Sequence, residues 1–291
     1  MRAGYFATVW KDIKNSPGWI SKFFLLSLVS LIPIFGSMVL LGYFYGWARD
    51  IAWNVHRPLP QKIFGNEDGR LYSRGFFLLV ISFVFTLVLW VVYWFIGFVT
   101  GFSFSFTDWF YWPFAFGLDL LIAFSICILT IGMALFVSLF VYVGSMRTTI
   151  YGTLSAGFQI GKIWSMMRHD IAGLFRILGM SLLLSLIYLI VSTVLIVVLS
   201  IVFAVGMTLL IAIGSEAYGA WSVGAFIAAI VLIFLYLAAI VFSVAFAEVV
   251  VTAFLARALG YWTRQFRVDQ WRGQDDPMPF EIQQSPVPPQ H

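Results

Sequence analysis

Three histidines, His56, His169 and His291, are all the imidazole this chain has, and Cys127 is its single thiol. None of the histidines stands at zinc-ligand spacing from a second histidine or from the cysteine. No glycine-rich phosphate loop and no nucleophile elbow occurs. Residue types that could act as nucleophile, base or metal ligand are present, but not at spacings that would make them cooperate. The reading is therefore not an enzyme, with no catalytic residue, no metal site and no cofactor. One ionisable group stands out by position. Glu248 lies in SVAFAEVVVTAF, two and a half turns before Arg257 and inside an apolar run. A carboxylate there is costly, and such groups usually face a bundle interior or water, with a partner. Arg49 and Arg147 fall on the same predicted side, so Glu248, Arg49 and Arg147 are expected to form a buried charge group. It would serve transport if it lined a solute path, and helix packing otherwise. Asp119 sits nearer the outer boundary, where solvation accounts for it.

The elements that must position these groups are set by composition. Apolar residues make up 62% of the chain and charged residues 10%. That is too little polar surface for a soluble enzyme. Uncharged runs of 25 residues or more follow one another, each long enough to cross a bilayer. The spacing predicts membrane helices over 75–99, 117–143, 174–213 and 225–256. The first of the uncharged runs, 23–47, carries Pro33 and Gly36 in its middle. Proline lacks an amide proton and glycine permits positive φ, so a structural hinge is expected at Pro33 and Gly36. Taken as one helix, 177–213 would be about 55 Å long against roughly 30 Å of hydrocarbon, so it must tilt, kink near Gly206 or project.

Charge placement decides between crossing and turning back. The 17 lysines and arginines fall in four clusters, 2–22, 49–74, 147–176 and 257–272. The aromatic-rich segment 100–116, expected as an interfacial belt, and the segment 214–224 contain none. Basic residues near helix ends stay cytoplasmic. If 23–47 crosses, the best five-span arrangement leaves four basic residues outside. If it turns back, all four clusters share one side. The expected fold class is an all-α membrane protein, a bundle of four transmembrane helices plus a Pro/Gly-broken re-entrant hairpin. Five or six transmembrane helices is the alternative. Residues 1–271 form one membrane domain, with both termini cytoplasmic. The proline-rich 272–291 is expected to be a disordered cytoplasmic tail.

Two segments read as amphipathic surface helices. In 4–15, Tyr5, Phe6, Val9, Trp10 and Ile13 share a face, and Lys11, Asp12 and Lys14 lie off it. Tyr5, Phe6, Trp10, Lys11 and Lys14 are the expected lipid-surface contacts, with packing on the chain's own bundle as the other reading. In 160–171, Ile160, Ile163, Trp164, Met167 and Ile171 make a second stripe. Gly42-xxx-Gly46, Gly97-xxx-Gly101 and Gly157-xxx-Gly161 permit close helix contact. Leu41-Gly42-Tyr43, Arg49 and Trp53 recur as Leu259-Gly260-Tyr261, Arg267 and Trp271 at a constant offset of 218.

Leu31-Ile32-Pro33-Ile34-Phe35-Gly36, then Leu41-Gly42-Tyr43, Arg49, Pro58-Leu59-Pro60 and Arg74-Gly75 carry a family resemblance. Arg147, Ala156-Gly157-Phe158 and the 257–261 exit continue it. Over most of 15–270 the chain resembles the uncharacterised prokaryotic membrane family known as domain of unknown function 4013. The resemblance implies a prokaryotic plasma membrane and a multi-helix bundle, and implies no activity. Two functions fit: a membrane subunit or scaffold that binds lipids or partner membrane proteins, and a permease for a small solute using the broken hairpin and Glu248. Expected partners are membrane lipids and a membrane-protein partner or second copy of the chain. Nucleic acid is not expected.

Overall fold

The computed structural model describes residues 4–65, 68–107, 112–218 and 223–282. These are helical, with no strand among them. The helices are α1 (Tyr5–Lys14), α2 (Trp19–Ser30), α3 (Phe35–Ala52), α4 (Leu71–Thr107), α5 (Trp112–Tyr151), α6 (Ile160–His169), α7 (Ile171–Tyr218), α8 (Val223–Arg264) and α9 (Pro279–Ile282). Four of them, α4, α5, α7 and α8, are long and apolar enough to cross a membrane. They extend past the expected limits at both ends. Within 100–116, helix α4 continues to Thr107 and α5 begins at Trp112. The side chains of 101–120, Asp119 included, lie outside the described residues.

The chain breaks where proline and glycine predict a break, but the two residues share the work differently. Helix α2 stops at Ser30 because Pro33 cannot continue it. The positive φ falls on Ile34 (63°), in a γ-turn closed by the Phe35 amide donating to the Pro33 carbonyl at 2.6 Å. A β-branched residue at that φ costs about 1–3 kcal/mol. Gly36 is helical. Its lack of a Cβ lets α3 start hard against the Val29 carbonyl and Ser30 backbone.

The two arms run antiparallel. Phe23 near the start of α2 meets Phe44 of α3 at 5.8 Å. The Leu59 amide donates to Ser16 Oγ at 2.9 Å, and Lys22 Nζ donates to the Leu59 carbonyl at 3.2 Å. Residues before the first arm thus bond to residues after the second, so the chain leaves the hairpin where it entered. The Tyr43 hydroxyl and Trp47 indole bind the carbonyls of Pro60 and Arg57, which folds the linker back onto α3.

Around the hairpin stand two helix pairs. In one, α4 packs on α5 and the Tyr93 hydroxyl donates to the Thr130 carbonyl at 2.9 Å. In the other, α7 packs on α8, with Ser200 and Tyr236 hydroxyls 2.8 Å apart and Phe203 against Tyr236. Helix α7 is unbroken through Gly206. The pairs touch each other lightly, through α5. The core lies at the base, where α3 is wedged between α4 and α8. Here α3 and α4 approach to backbone contact. A Cβ on Gly42 would strike the Leu71 carbonyl, and one on Gly75 would strike the Met38 carbonyl. Gly46 leaves room for the Arg74 guanidinium. Of the three expected Gly-xxx-Gly contacts, Gly42-xxx-Gly46 is a helix crossing, while Gly97 faces open space.

Helix α1 docks on the bundle. Val9 and Ile13 are fully buried, Phe6 and Trp10 lie over Phe254, and Lys11 and Lys14 point outward. On α6, Ile163, Met166 and Met167 are buried, while Ile160 stays exposed. The tail expectation is corrected over 272–282. Met278 is 1% exposed, Phe280 packs on Phe266 and His169, and Glu281 binds Lys162 and Ser165. Residues 283–291 lie outside the described residues.

The glycine crossing yields a differential expectation. Gly42→Ala and Gly75→Ala should each cost about 1–3 kcal/mol, because the obstruction is backbone and cannot step aside. Gly97→Ala, in the same helix as Gly75, should be neutral or gain up to about 1 kcal/mol. Thermal denaturation of the purified variants in one detergent measures the difference.

Candidate functional site

Charge at the base of the bundle is concentrated in three buried guanidiniums. Arg74, Arg147 and Arg257 are 6%, 0% and 1% exposed. Each falls on an inward stripe of its helix, so helical phase carries it inside. A buried cation is tolerable only when its donors are satisfied. Arg257 Nε and Nη2 both reach Asp12 Oδ2 at 2.8 Å. Its Nη1 donates to the Trp47 carbonyl at 2.8 Å and its Nη2 also reaches the Arg57 carbonyl at 3.4 Å. The guanidinium carbon sits 4.0 Å from the Trp47 ring centroid, a cation–π contact. The Tyr261 hydroxyl donates to the same Asp12 oxygen at 2.7 Å. One arginine therefore ties α8 to α1, α3 and the linker.

Arg74 binds the Gly42 carbonyl at 3.1 Å and pairs with Asp68. Asp68 also takes Arg49 at 3.1 Å. Burial alone would raise the Asp68 carboxyl, but the Arg74 charge and hydrogen bond outweigh it and hold the group below its ordinary range. Arg147 has no carboxylate in salt-bridge contact among the described residues. It is held by the carbonyls of Ala156 (3.2 Å) and Gln274 (3.1 Å), by Gln159 and by the faces of Tyr151 and Trp271. Gln274 belongs to the C-terminal strap, whose Thr153 and Ser155 contacts pin it beside this cation.

Beside Arg74 the layer opens into a cavity of about 170 Å³, walled by Tyr43, Arg49, Asp50, Arg57, Asp68 and Arg74. Three cations against two anions leave it with one net positive charge. Asp50 is half-buried and its carboxyl is raised by desolvation, against the pull of Arg49, Arg57, Arg257 and Arg74. The cavity has room and charge for a small anion. No group of three His, Cys, Asp or Glu side chains that could hold a metal is found among the described residues.

The expected group of Glu248, Arg49 and Arg147 does not assemble. Glu248 is exposed on α8 and has no hydrogen bond or ion pair with any described residue. It follows Val241 and Val244 at helical spacing, on the face turned away from the bundle. Arg49 pairs with Asp68 instead, and Arg147 with carbonyls. The sequence reading missed Asp12 as the partner of Arg257. The signal was present: Val9, Asp12, Ile13 and Ser16 fall at i, i+3, i+4 and i+7, which places Asp12 on the inward stripe.

A helical bundle with four apolar spans, joined at one end by a polar layer that holds members of all four basic clusters, defines a multi-pass membrane protein. Its family is the one described as "Protein of unknown function (DUF4013)". That family model matches residues 25–197, more than half of the chain, and the chain belongs to it. No curated protein and no solved structure matches the chain.

The two kinds of ion pair should separate in stability measurements. Arg257→Ala strips Asp12, Trp47 and the linker of a shared donor and should cost about 3–5 kcal/mol. Arg257→Lys should recover little, since an ammonium cannot span those acceptors. Arg49→Ala removes a partly exposed pair and should cost at most about 1 kcal/mol. Denaturation midpoints in detergent give the comparison.

Proposed function

We propose that this chain is a non-enzymatic membrane subunit or scaffold of the plasma membrane, binding lipids and a partner membrane protein through its long helix pairs. One observation carries the reading. The apolar part of α7 runs 42 residues and its most apolar stretch has no buried residue. That is roughly 63 Å of helix. Even at a tilt of 40°, about 30 Å of hydrocarbon houses only about 39 Å of it. Large apolar side chains continue to the outer end, Val205, Leu209 and Ile211 on α7 and Phe226, Ile230 and Phe234 on α8. Exposed apolar surface of that extent marks an interaction site. A photo-crosslinking residue at Val205 or Phe226 in native membranes should yield a discrete protein adduct, either a second copy or a different membrane protein. Lipid adducts alone at both positions overturn the scaffold reading.

The hairpin of α2 and α3 is proposed to enter the membrane from the cytoplasmic side and return. Its tip exposes Leu31, Ile32, Ile34 and Phe35. The amides of Leu31, Ile32, Phe35 and Gly36 have backbone acceptors and Pro33 has no donor, which leaves that of Ile34 as the one tip amide without a backbone acceptor among the described residues. Arm α2 is 12 residues, about 18 Å, enough to pass the midplane and no further. In intact cells on a Cys127→Ser background, single cysteines replacing the exposed Lys14 and Lys62 should both be shielded from an impermeant thiol reagent. One replacing Gly224 should react. Opposite labelling of 14 and 62 would restore a spanning helix and five crossings.

A further inference from the structure

Where α1 lies across α7, a groove of about 500 Å³ opens between Tyr5, Phe6, Arg176, Gly179, Met180 and Leu183. Its two ends differ chemically. Arg176 is the only charged residue of α7 between Ile171 and Ile213. It is exposed, and no carboxylate pairs with it among the described residues. Asp170 does not line the groove, and its carboxylate accepts from the Gly173 amide at 2.9 Å and from Gln265 at 2.9 Å. Tyr5 and Arg176 line the same groove, and burial raises the Tyr5 phenol above its ordinary range. From this polar end the groove continues outward along the helix. Gly179 leaves its floor open, since nothing lies within 4 Å of where a Cβ would be. Met180 and Leu183 continue it, and Leu182, Leu186 and Ile190 lie exposed beyond.

Arg176 stands six residues past Asp170, about 9 Å further along the helix axis. Asp170 marks the basal polar layer, because its backbone carbonyl accepts from the Trp262 indole and its side chain from Gln265 at the end of α8. The cation therefore sits just inside the boundary where α7 turns wholly apolar. A long side chain can reach back from such a position to the headgroup level. A guanidinium fork matches two phosphate oxygens, and a phenol can add a third donor.

We propose that this groove is a binding site for one anionic phospholipid, its phosphate on Arg176 and Tyr5 and an acyl chain laid over Gly179 against Phe6, Met180 and Leu183. The assignment rests on the membrane reading above and adds the place and the lipid class. Charge decides the class. The groove offers one unpaired cation and no spare carboxylate, so it favours a headgroup with net negative charge over one carrying a choline.

Native mass spectrometry of the detergent-purified full chain, with equal phosphatidylglycerol and phosphatidylcholine of matched acyl chains, tests this. The wild type should retain phosphatidylglycerol several-fold over phosphatidylcholine. Arg176→Gln should lower the phosphatidylglycerol adduct roughly fivefold, the equivalent of about 1 kcal/mol for one surface cation. Arg176→Lys, which keeps the charge, should hold part of the selectivity and serves as the folding control. Equal retention of the two lipids by the wild type overturns the proposal, as does unchanged selectivity in Arg176→Gln. Displacement of the lipid by soluble glycerol phosphate would show that the headgroup alone fills the site, and would overturn the lipid as occupant. Failure of the hairpin topology looks different: the cysteine-labelling pattern itself would be lost, while the chain would still cross the membrane. An Arg176→Gln chain that keeps that pattern and loses selectivity supports this site independently.

Discussion

A guanidinium cannot be left dry and unpaired, and the base of this protein is arranged around that constraint. Arg257 has five N–H donors to satisfy, and the oxygens that take them lie on segments other than α8. The acceptors must come from elsewhere, and they do: Asp12 from α1, Trp47 from α3 and Arg57 from the linker. Satisfying the cation and fixing four segments relative to one another are therefore the same event. Arg74 repeats the logic between α3 and α4, and Arg147 between α5, the turn before α6 and the C-terminal strap. Non-polar packing is non-directional. These bonds supply registry that a bundle of Leu, Ile, Val and Phe would lack.

Glycine makes the arrangement reachable. Arg74 donates to a mid-helix carbonyl of α3, at Gly42, which demands that α4 pass within backbone contact of α3. Only the missing Cβ atoms of Gly42 and Gly75 allow that approach, and the space over Gly46 takes the guanidinium. Gly260 does the same for α8, seating it on the Ala48 carbonyl one turn from where Arg257 binds Trp47. The weak echo between Leu41-Gly42-Tyr43 and Leu259-Gly260-Tyr261 acquires a physical meaning here. In both copies the glycine is a point of close helix approach, and the tyrosine hydroxyl beside it donates out of the helix, to Pro60 in one case and Asp12 in the other.

The long spans, the break at Pro33 and the gathering of basic residues in one layer were legible in the sequence. Each is a one-dimensional property: run length, a residue with no amide proton, a charge count between runs. What was not legible depends on phase between helices. Glu248 lies in an apolar run, as a buried ionisable group would, yet one helix gives no absolute direction to the core, and its face turns out to be the outer one. Arg147 was singled out with the wrong partner because carboxylates are visible in sequence and backbone acceptors are not. Three carbonyl or amide oxygens from 156, 159 and 274 stabilise it instead. The strap was misjudged for a related reason. Its prolines and polar residues resemble a disordered tail, and only the complementary polar surface of α5 and α6 orders 272–282.

The extent of the family match gives this layer a division of labour. Residues 25–197 include the second half of α2, the break and all of α3, the glycine crossing with α4, the Arg74–Asp68 pair and Arg147. Asp12 and Arg257 lie outside it on opposite sides. Inside the matched segment, the hairpin is held from one flank only, by α4 against α3. Its other flank is α8, and α8 is fastened to α3 through Arg257, whose countercharge comes from α1. The two parts of the chain that flank the matched segment thus meet each other at Asp12 and Arg257 and close over the hairpin as they do so. A hairpin whose tip exposes apolar side chains and whose two ends share one layer needs restraint from both flanks to stay in a single register. The matched segment provides one flank, and the ion pair across 245 residues of sequence provides the other.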